Sequence, residues 1–248
     1  MEFPLACSSN SISGFGSQRR EGSKVGRALV IFSGGQDSTT CLYWALRTFG
    51  DGNVFACTFD YGQRHRIEIE AARKIARSAN VPLTLLPIDT FRHLQQNALT
   101  GTGAFDDSIN PESHLPKTFV PGRNIIFLTL AAAFAYDHQI ANLVTGVAQT
   151  DYSGYPDCRQ ETIQSLQQTL HLAMESRFEI HTPLMNLSKA ETVMLAQKLG
   201  AMEALAWSHT CYQGLRPPCG QCSACRLRAK GFEEAGIPEP LCRIGDMH

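Results

Sequence analysis

No apolar run in this 248-residue chain is long enough to cross a membrane, and its formal net charge is only −1. The first absence excludes a membrane-spanning helix. The second removes the basic excess that steers a protein to nucleic acid or an anionic surface, although a local basic patch is compatible with it. No continuous apolar segment of the secretory kind follows the N-terminus. Residues 1–24 are rich in Ser and Gly, poor in apolar content, and read as a disordered extension. The nine cysteines are an odd count, mostly scattered singly outside one C-terminal cluster, which points to a reducing cytoplasm rather than a disulfide framework. No spacing brings a nucleophile, a base and an orienting group together. Finally, no Gly-Lys-Ser/Thr sequence is present, so a Walker A loop is excluded.

What the chain does have is centred on Ser33-Gly34-Gly35-Gln36-Asp37-Ser38-Thr39. Arg27–Phe32 before it is short, apolar and β-branched, and predicts a buried parallel strand. Thr40–Leu46 after it predicts a helix ended by Gly50. A strand, a Gly-rich turn and a helix N-terminus form an anion site, because the glycines admit a phosphate to the backbone and the first helical N–H groups point at it. Ser33, Ser38 and Thr39 add hydroxyl donors.

Further strands are predicted at 53–59, 83–88, 141–146 and 178–182, with Pro87 marking an edge. Asp60 ends the second strand. A ribose hydroxyl, the substrate, Mg2+ or a simple turn are all open partners for it. His65 and Glu68 follow at the start of a helix over 64–79, as a solvated first turn or as part of a site. The stretch 99–116 is long and polar and reads as a lid or a disordered loop. Gly122-Arg123-Asn124 opens a very apolar helix, where Arg123 can fork onto a phosphate and Asn124 can cap. The loop 147–159 carries Asp151, Tyr152, Tyr155, Asp157 and Arg159, groups suited to a flat polar heterocycle or to the loop's own turns. Ser188 and Glu191 form a capping box before another helix.

Cys211, Cys219, Cys222 and Cys225 follow the spacing C-x7-C-x2-C-x2-C. Four thiolates so spaced suit a tetrahedral zinc. The C-x2-C-x2-C core also suits a [4Fe–4S] cluster, but the fourth cysteine of a ferredoxin run is missing downstream. Cys225 is expected to open the helix that follows.

The SGGxDS pattern resembles the PP-loop of the ATP pyrophosphatase superfamily. The strings FSGGQDSTTC, FDYGQRH, VPGRN and GVAQTDYSGYPDCR, with the four cysteines, resemble within it the 7-cyano-7-deazaguanine (preQ0) synthase family, over residues 27–243. That resemblance implies an open, mostly parallel sheet of about five strands with helices on both faces. It places a nucleotide-binding α/β domain at 25–205 and a zinc-binding helical segment at 206–248. It implies ATP on Phe32, Ser33, Gly34, Gly35, Gln36, Asp37, Ser38, Thr39, Thr40, Cys41 and Leu42, with Ser33, Asp37, Ser38 and Arg123 carrying the chemistry. Asp60, Asp151, Tyr152, Asp157 and Arg159 are its expected substrate contacts. One structural Zn2+ per chain on the four cysteines, Mg2+ with the ATP, and a cytoplasmic homodimer complete the expectation. The implied reaction joins 7-carboxy-7-deazaguanine and ammonium with ATP, without direct nucleic-acid or membrane contact. The family usually has Trp where Asn186 stands, which bears on local packing or dimer contacts. A PP-loop tRNA-modifying enzyme, of thiolase or lysidine-synthase type, is the competing enzyme class. A zinc-stabilised nucleotide-binding module without turnover is the non-enzymatic one.

Overall fold

The computed structural model describes residues 26–63, 66–93, 99, 106–150 and 154–240. The extension read at 1–24 therefore lies outside the described residues. Ala28–Ile31 (β1), Val54–Asp60 (β2), Leu83–Pro87 (β3), Asn142–Val144 (β4) and Glu179–His181 (β5) form one sheet. Its order is β3-β2-β1-β4-β5 and all four pairings are parallel. Pro87 stands on the edge strand, where its missing N–H interrupts no inner ladder. The strand order reverses between β1 and β4. In open α/β sheets that switch point, beyond the strand C-termini, is where ligands bind.

Alternation along β1 divides the core. Ala28, Val30 and Phe32 pack with Gln36–Phe49 (α1) and Ile67–Ser78 (α2) on one face, while Leu29 packs with Arg123–Asp137 (α3) and Gln160–Met174 (α4) on the other. A third cluster joins Lys189–Lys198 (α5), Met202–Trp207 (α6) and Ser223–Ala235 (α7) through Val193, Leu205 and Phe232. The segment after residue 206 thus packs back onto the α/β layers. Behind the start of α3, Phe59 and Phe127 stack with centroids 4.4 Å apart, and Tyr61 and Phe91 meet Phe127 at 5.3 and 5.7 Å. Truncating a buried Phe to Ala costs about 3–5 kcal/mol, so this aromatic knot is a firm base for Arg123 at the helix start.

Two helix starts differ from expectation. α1 begins at Gln36, inside the Gly-rich turn, so Gln36, Asp37 and Ser38 are its first turn. α7 begins at Ser223, with Cys222 as its N-cap, rather than at Cys225. The reason is a distant cap: the Ser223 N–H donates to Asp107 Oδ2 at 2.5 Å. The described part of the long polar stretch, 106–116, is ordered by that bond and by an antiparallel bridge between Ile109 and Pro116. The capping box is present as read, with Glu191 N–H on Ser188 Oγ (3.2 Å) and Ser188 N–H on Glu191 Oε2 (2.7 Å).

Candidate active site

Beyond the C-terminal ends of β1, β2 and β4 opens a cavity of about 310 Å³, lined by the Gly-rich turn, the starts of α2 and α3, and residues 209–212. Ser33 and Ser38 face it and are bonded to each other, Oγ to Oγ, at 3.1 Å. Gly35 caps α1 and offers no side chain, so the N–H groups of the first turn are left for an anion. Gly34 carries the turn at φ +80°, and a Cβ there would lie 2.6 Å from the backbone of Glu68 and Ala72. Only glycine permits α2 to close on the loop so tightly. Gln36 is 2% exposed and lines the cavity, yet its amide has no partner among the described residues. An orphaned buried amide beside open N–H groups fits a polar, anionic guest such as a nucleotide.

The loop contains no lysine, but the fold supplies one. Lys189, at the start of α5, places its ammonium 3.0 and 2.8 Å from the two oxygens of Asp37, and both residues line the cavity. The stem passes α7 where Gly231 stands; a Cβ at that position would lie 2.7 Å from Lys189 Cγ. Sequence reading missed this residue because only its capping neighbours carry a local signal.

On another part of the cavity wall, Arg123 and Glu68 meet three phenols, those of Tyr61, Tyr155 and Tyr212. Burial works against the Arg123 charge, and Tyr61, Tyr155, Tyr212 and Asp157 outweigh it, so the guanidinium stays protonated. Burial pushes the Glu68 carboxyl up to about 7, with Arg123 pulling the other way. The same burial raises Tyr61 to about 12 and lifts Tyr212 further above the usual phenol range. Tyr155 Oη is fixed by Thr118 Oγ1 at 2.6 Å.

The fourth wall belongs to the cysteine segment. His209 N–H donates to Gly34 O at 2.9 Å, which ties residues 209–212 directly to the loop. Cys211, Cys219, Cys222 and Cys225 hold their Sγ atoms within 4.8 Å of one another, with Cys219 and Cys225 at 3.9 Å. Tetrahedral Zn–S bonds of about 2.3 Å place sulfurs about 3.8 Å apart, so the four thiols fit a zinc. The N–H groups of Gln221 and Cys222 point at Cys219 Sγ (3.4 and 3.3 Å), the contacts a metal-bound thiolate accepts.

Comparison with known proteins decides the family. The model of "Queuosine biosynthesis protein QueC" matches residues 27–236. The chain belongs to the QueC family. A relative from Chromobacterium violaceum, named 7-cyano-7-deazaguanine synthase, is 65% identical over 87% of this chain and 92% of its own. Another of that name from Laribacter hongkongensis is 62% identical over 86% of this chain and 93% of its own. Among solved structures, the U34-tRNA thiolase NcsA of Methanococcus maripaludis, with its [4Fe–4S] cluster, has a TM-score of 0.49 at 15% identity, covering 86% of this chain and 66% of its own. A likeness that loose carries no weight beside the family match.

Not every residue expected to serve a QueC site reaches the cavity. Phe32, Ser33, Gly35, Gln36, Asp37, Ser38 and Arg123 line it. Thr39 and Thr40 are buried, their hydroxyls donating to Gly35 O (2.8 Å) and Gln36 O (3.0 Å), and Cys41 and Leu42 belong to the core. Burial, then the nearby Asp37, raises the Cys41 thiol well above its usual range, so it stays neutral. Asp60 lies off the cavity lining, paired with Arg66 at 2.9 Å and accepting the Gly62 N–H at 3.5 Å. Asp157 is 5% exposed and accepts the Asn124 N–H at 3.0 Å, so it fastens the start of α3. Asn124 therefore does not cap its own helix; its side chain reaches Cys158 Sγ at 3.2 Å. Arg159 is exposed at the start of α4. Asp151, Tyr152 and His65 lie outside the described residues. Asn186 accepts from Gln149 Nε2 at 2.8 Å and so pins the first residues of the 147–159 loop to the turn before α5.

Proposed function

We propose that this chain converts 7-carboxy-7-deazaguanine and ammonia to 7-cyano-7-deazaguanine with ATP, through an adenylated acid and an amide. The family match over 27–236 carries this reading, and QueC membership makes the chain an enzyme of queuosine biosynthesis. The cavity supplies what such chemistry needs from a protein, namely positioning and charge.

A carboxylate is a poor electrophile and its oxygen a poor leaving group. Transfer of AMP to that oxygen cures both faults and releases pyrophosphate. The open N–H groups after Gly35 would hold the phosphates. Lys189 and Arg123, on opposite sides, would offset the charge that develops on departing pyrophosphate. Ammonia then displaces AMP to give the amide. Removing the remaining oxygen to leave a nitrile needs a second activation, and a second ATP is the simplest source. The loop 147–159 is our proposed seat for the heterocycle, with Asp151 and Tyr152 on its edge and face and Arg159 on the carboxylate. Asp60 joins them as a proposed contact.

We also assign one structural Zn2+ to the four cysteines and Mg2+ to the nucleotide. Zinc would hold residues 211–225 in shape, and through them the His209 contact on Gly34. A cytoplasmic homodimer completes the reading; Ile126 and Leu130, exposed one turn apart on α3, offer an apolar patch to a second copy. No helix among the described residues is long and apolar enough to cross a membrane.

The test is mass spectrometry of products from ATP, ammonium and the carboxy-deazaguanine labelled with heavy oxygen in its carboxylate. Nitrile product, an early amide and label in AMP are expected. Label in inorganic phosphate beside ADP would replace adenylation by phosphorylation.

A further inference from the structure

Two carboxylates line the cavity among the described residues, and they are not equivalent. Asp37 is held through both oxygens by Lys189. Glu68 projects from the first turn of α2, on the opposite side of the Gly-rich turn, into the wall formed by Arg123 and the three tyrosines. Its position is rigid: the α2 backbone at Glu68 and Ala72 abuts Gly34 so closely that no Cβ fits between them.

The reaction proposed above leaves one proton transfer without an assigned residue. At neutral pH the nitrogen source is mostly ammonium, which has no lone pair to attack with. A base beside the acyl carbon must take a proton first. We propose that Glu68 is that base, stripping one proton from ammonium inside the cavity so that neutral ammonia attacks the adenylated carboxyl carbon. Ammonium and the Glu68 carboxylate become ammonia and the carboxylic acid. The nitrogen lone pair forms the C–N bond, and the C–O bond to AMP breaks with its electron pair going to the phosphate oxygen. A second N–H proton leaves with AMP, giving the amide and singly ionised AMP. Glu68 then returns its proton to water.

The surroundings suit the task. Burial raises the carboxyl to about 7, matched to a proton exchanged near neutral pH. Among the described residues, Arg123, from α3, is the cation that faces it, and Tyr61, Tyr155 and Tyr212 bring their hydroxyls to the same group. Asp37 and Lys189 stand across the cavity as a neutralised pair. Arg64 and His65, just before Glu68 in the chain, lie outside the described residues. A fixed guanidinium beside the site disfavours a second cation and so favours ammonia over ammonium, while burial, which outweighs the pull of Arg123, lets Glu68 hold the proton.

This rests on the proposed function, and the experiment separates the two. Substrate-dependent exchange of labelled pyrophosphate into ATP needs no ammonia and reports adenylation alone. Amide formation needs both. In Glu68→Gln, amide formation from ammonium should fall on the order of a hundredfold relative to exchange. Hydroxylamine, a nucleophile that is largely unprotonated at neutral pH, should restore product to near the wild-type rate. Glu68→Asp should recover part of the ammonium rate, with the fall at low pH displaced from that of the wild type. Equal losses of exchange and amide formation in Glu68→Gln, or no rescue by hydroxylamine, would overturn the assignment. A wild-type enzyme with no substrate-dependent exchange would instead overturn the adenylation reading, and the proposal with it.

Discussion

Lys189 lays its ammonium on both carboxylate oxygens of Asp37 across 152 residues of sequence, at 3.0 and 2.8 Å. The pair is mostly shielded, with the lysine side chain 11% and the aspartate 28% exposed, and it stands on the first turn of α1 where a phosphate would sit. Lys189→Met is expected to lower ATP-dependent turnover on the order of a hundredfold, as loss of a charge-stabilising donor does. Asp37→Ala should cripple ATP use with the melting transition preserved. A double-mutant cycle on adenylation should show strong coupling; additive losses would mean that the two act separately.

Gly34→Ala should be worse than either. The φ of +80° strains any side chain, and the new Cβ would meet α2 backbone at 2.6 Å. Both a lower melting temperature and loss of nucleotide binding are expected, read by calorimetry with and without ATP. An alanine variant that still binds ATP would show that α2 can retreat from the loop.

Metal analysis should find about one zinc per folded chain. Cys222→Ser should lower folded yield more than it alters the chemistry of the protein that survives. Because residues 209–212 touch the loop, chelation of zinc should also weaken ATP binding. A brown protein absorbing as an iron–sulfur cluster would reject the zinc assignment.

Arg228 is 2% exposed and bonded to four partners, Glu239 (2.7 Å), Ser208 Oγ (2.8 Å), Thr210 Oγ1 (3.1 Å) and Leu205 O (3.1 Å). Arg228→Met leaves those partners without their donor. The expected loss is about 3–5 kcal/mol, read from the denaturant midpoint. Replacing Glu239 as well should return part of it.

Glu68 also predicts how stability follows pH. Its folded pKa of about 7 exceeds the ordinary 4.5, so the folded state holds the proton more tightly than the unfolded. The contribution is full below 4.5 and is lost as pH rises to about 7. Glu68→Gln should therefore flatten this part of the stability profile and gain on the wild type at pH 8. Midpoints of urea unfolding between pH 4 and 8 check it; parallel curves would refute it.

The strands and the edge position of β3 were legible because each is a local pattern, a short apolar run, with a proline at the margin; the parallel sheet followed from the family resemblance, and the strand order has no local signal. The loop was legible as well, because its glycines and hydroxyls are contiguous. Lys189 was not, because its pairing spans 152 residues and nothing in the segment 188–191 distinguishes an inward lysine from a solvated one. The structural bond of Asp157 was hidden for the opposite reason: in a loop full of polar groups, composition does not reveal that this carboxylate fastens the start of α3. The start of α7 moved by two residues because its cap, Asp107, comes from another part of the chain.

The Lys189–Asp37 bond has a consequence in time. A ribosome adds on the order of 5–20 residues per second, so the Gly-rich turn waits roughly eight to thirty seconds for its lysine. It waits longer for His209, for the four cysteines and for the Arg228–Glu239 clasp that follow. A prematurely terminated chain would carry the recognisable nucleotide loop and yet lack the partners that make it work. On the proposed reading, competence for ATP would be conferred by the last quarter of the polypeptide, and only molecules that carry it would draw on the cell's nucleotide pool.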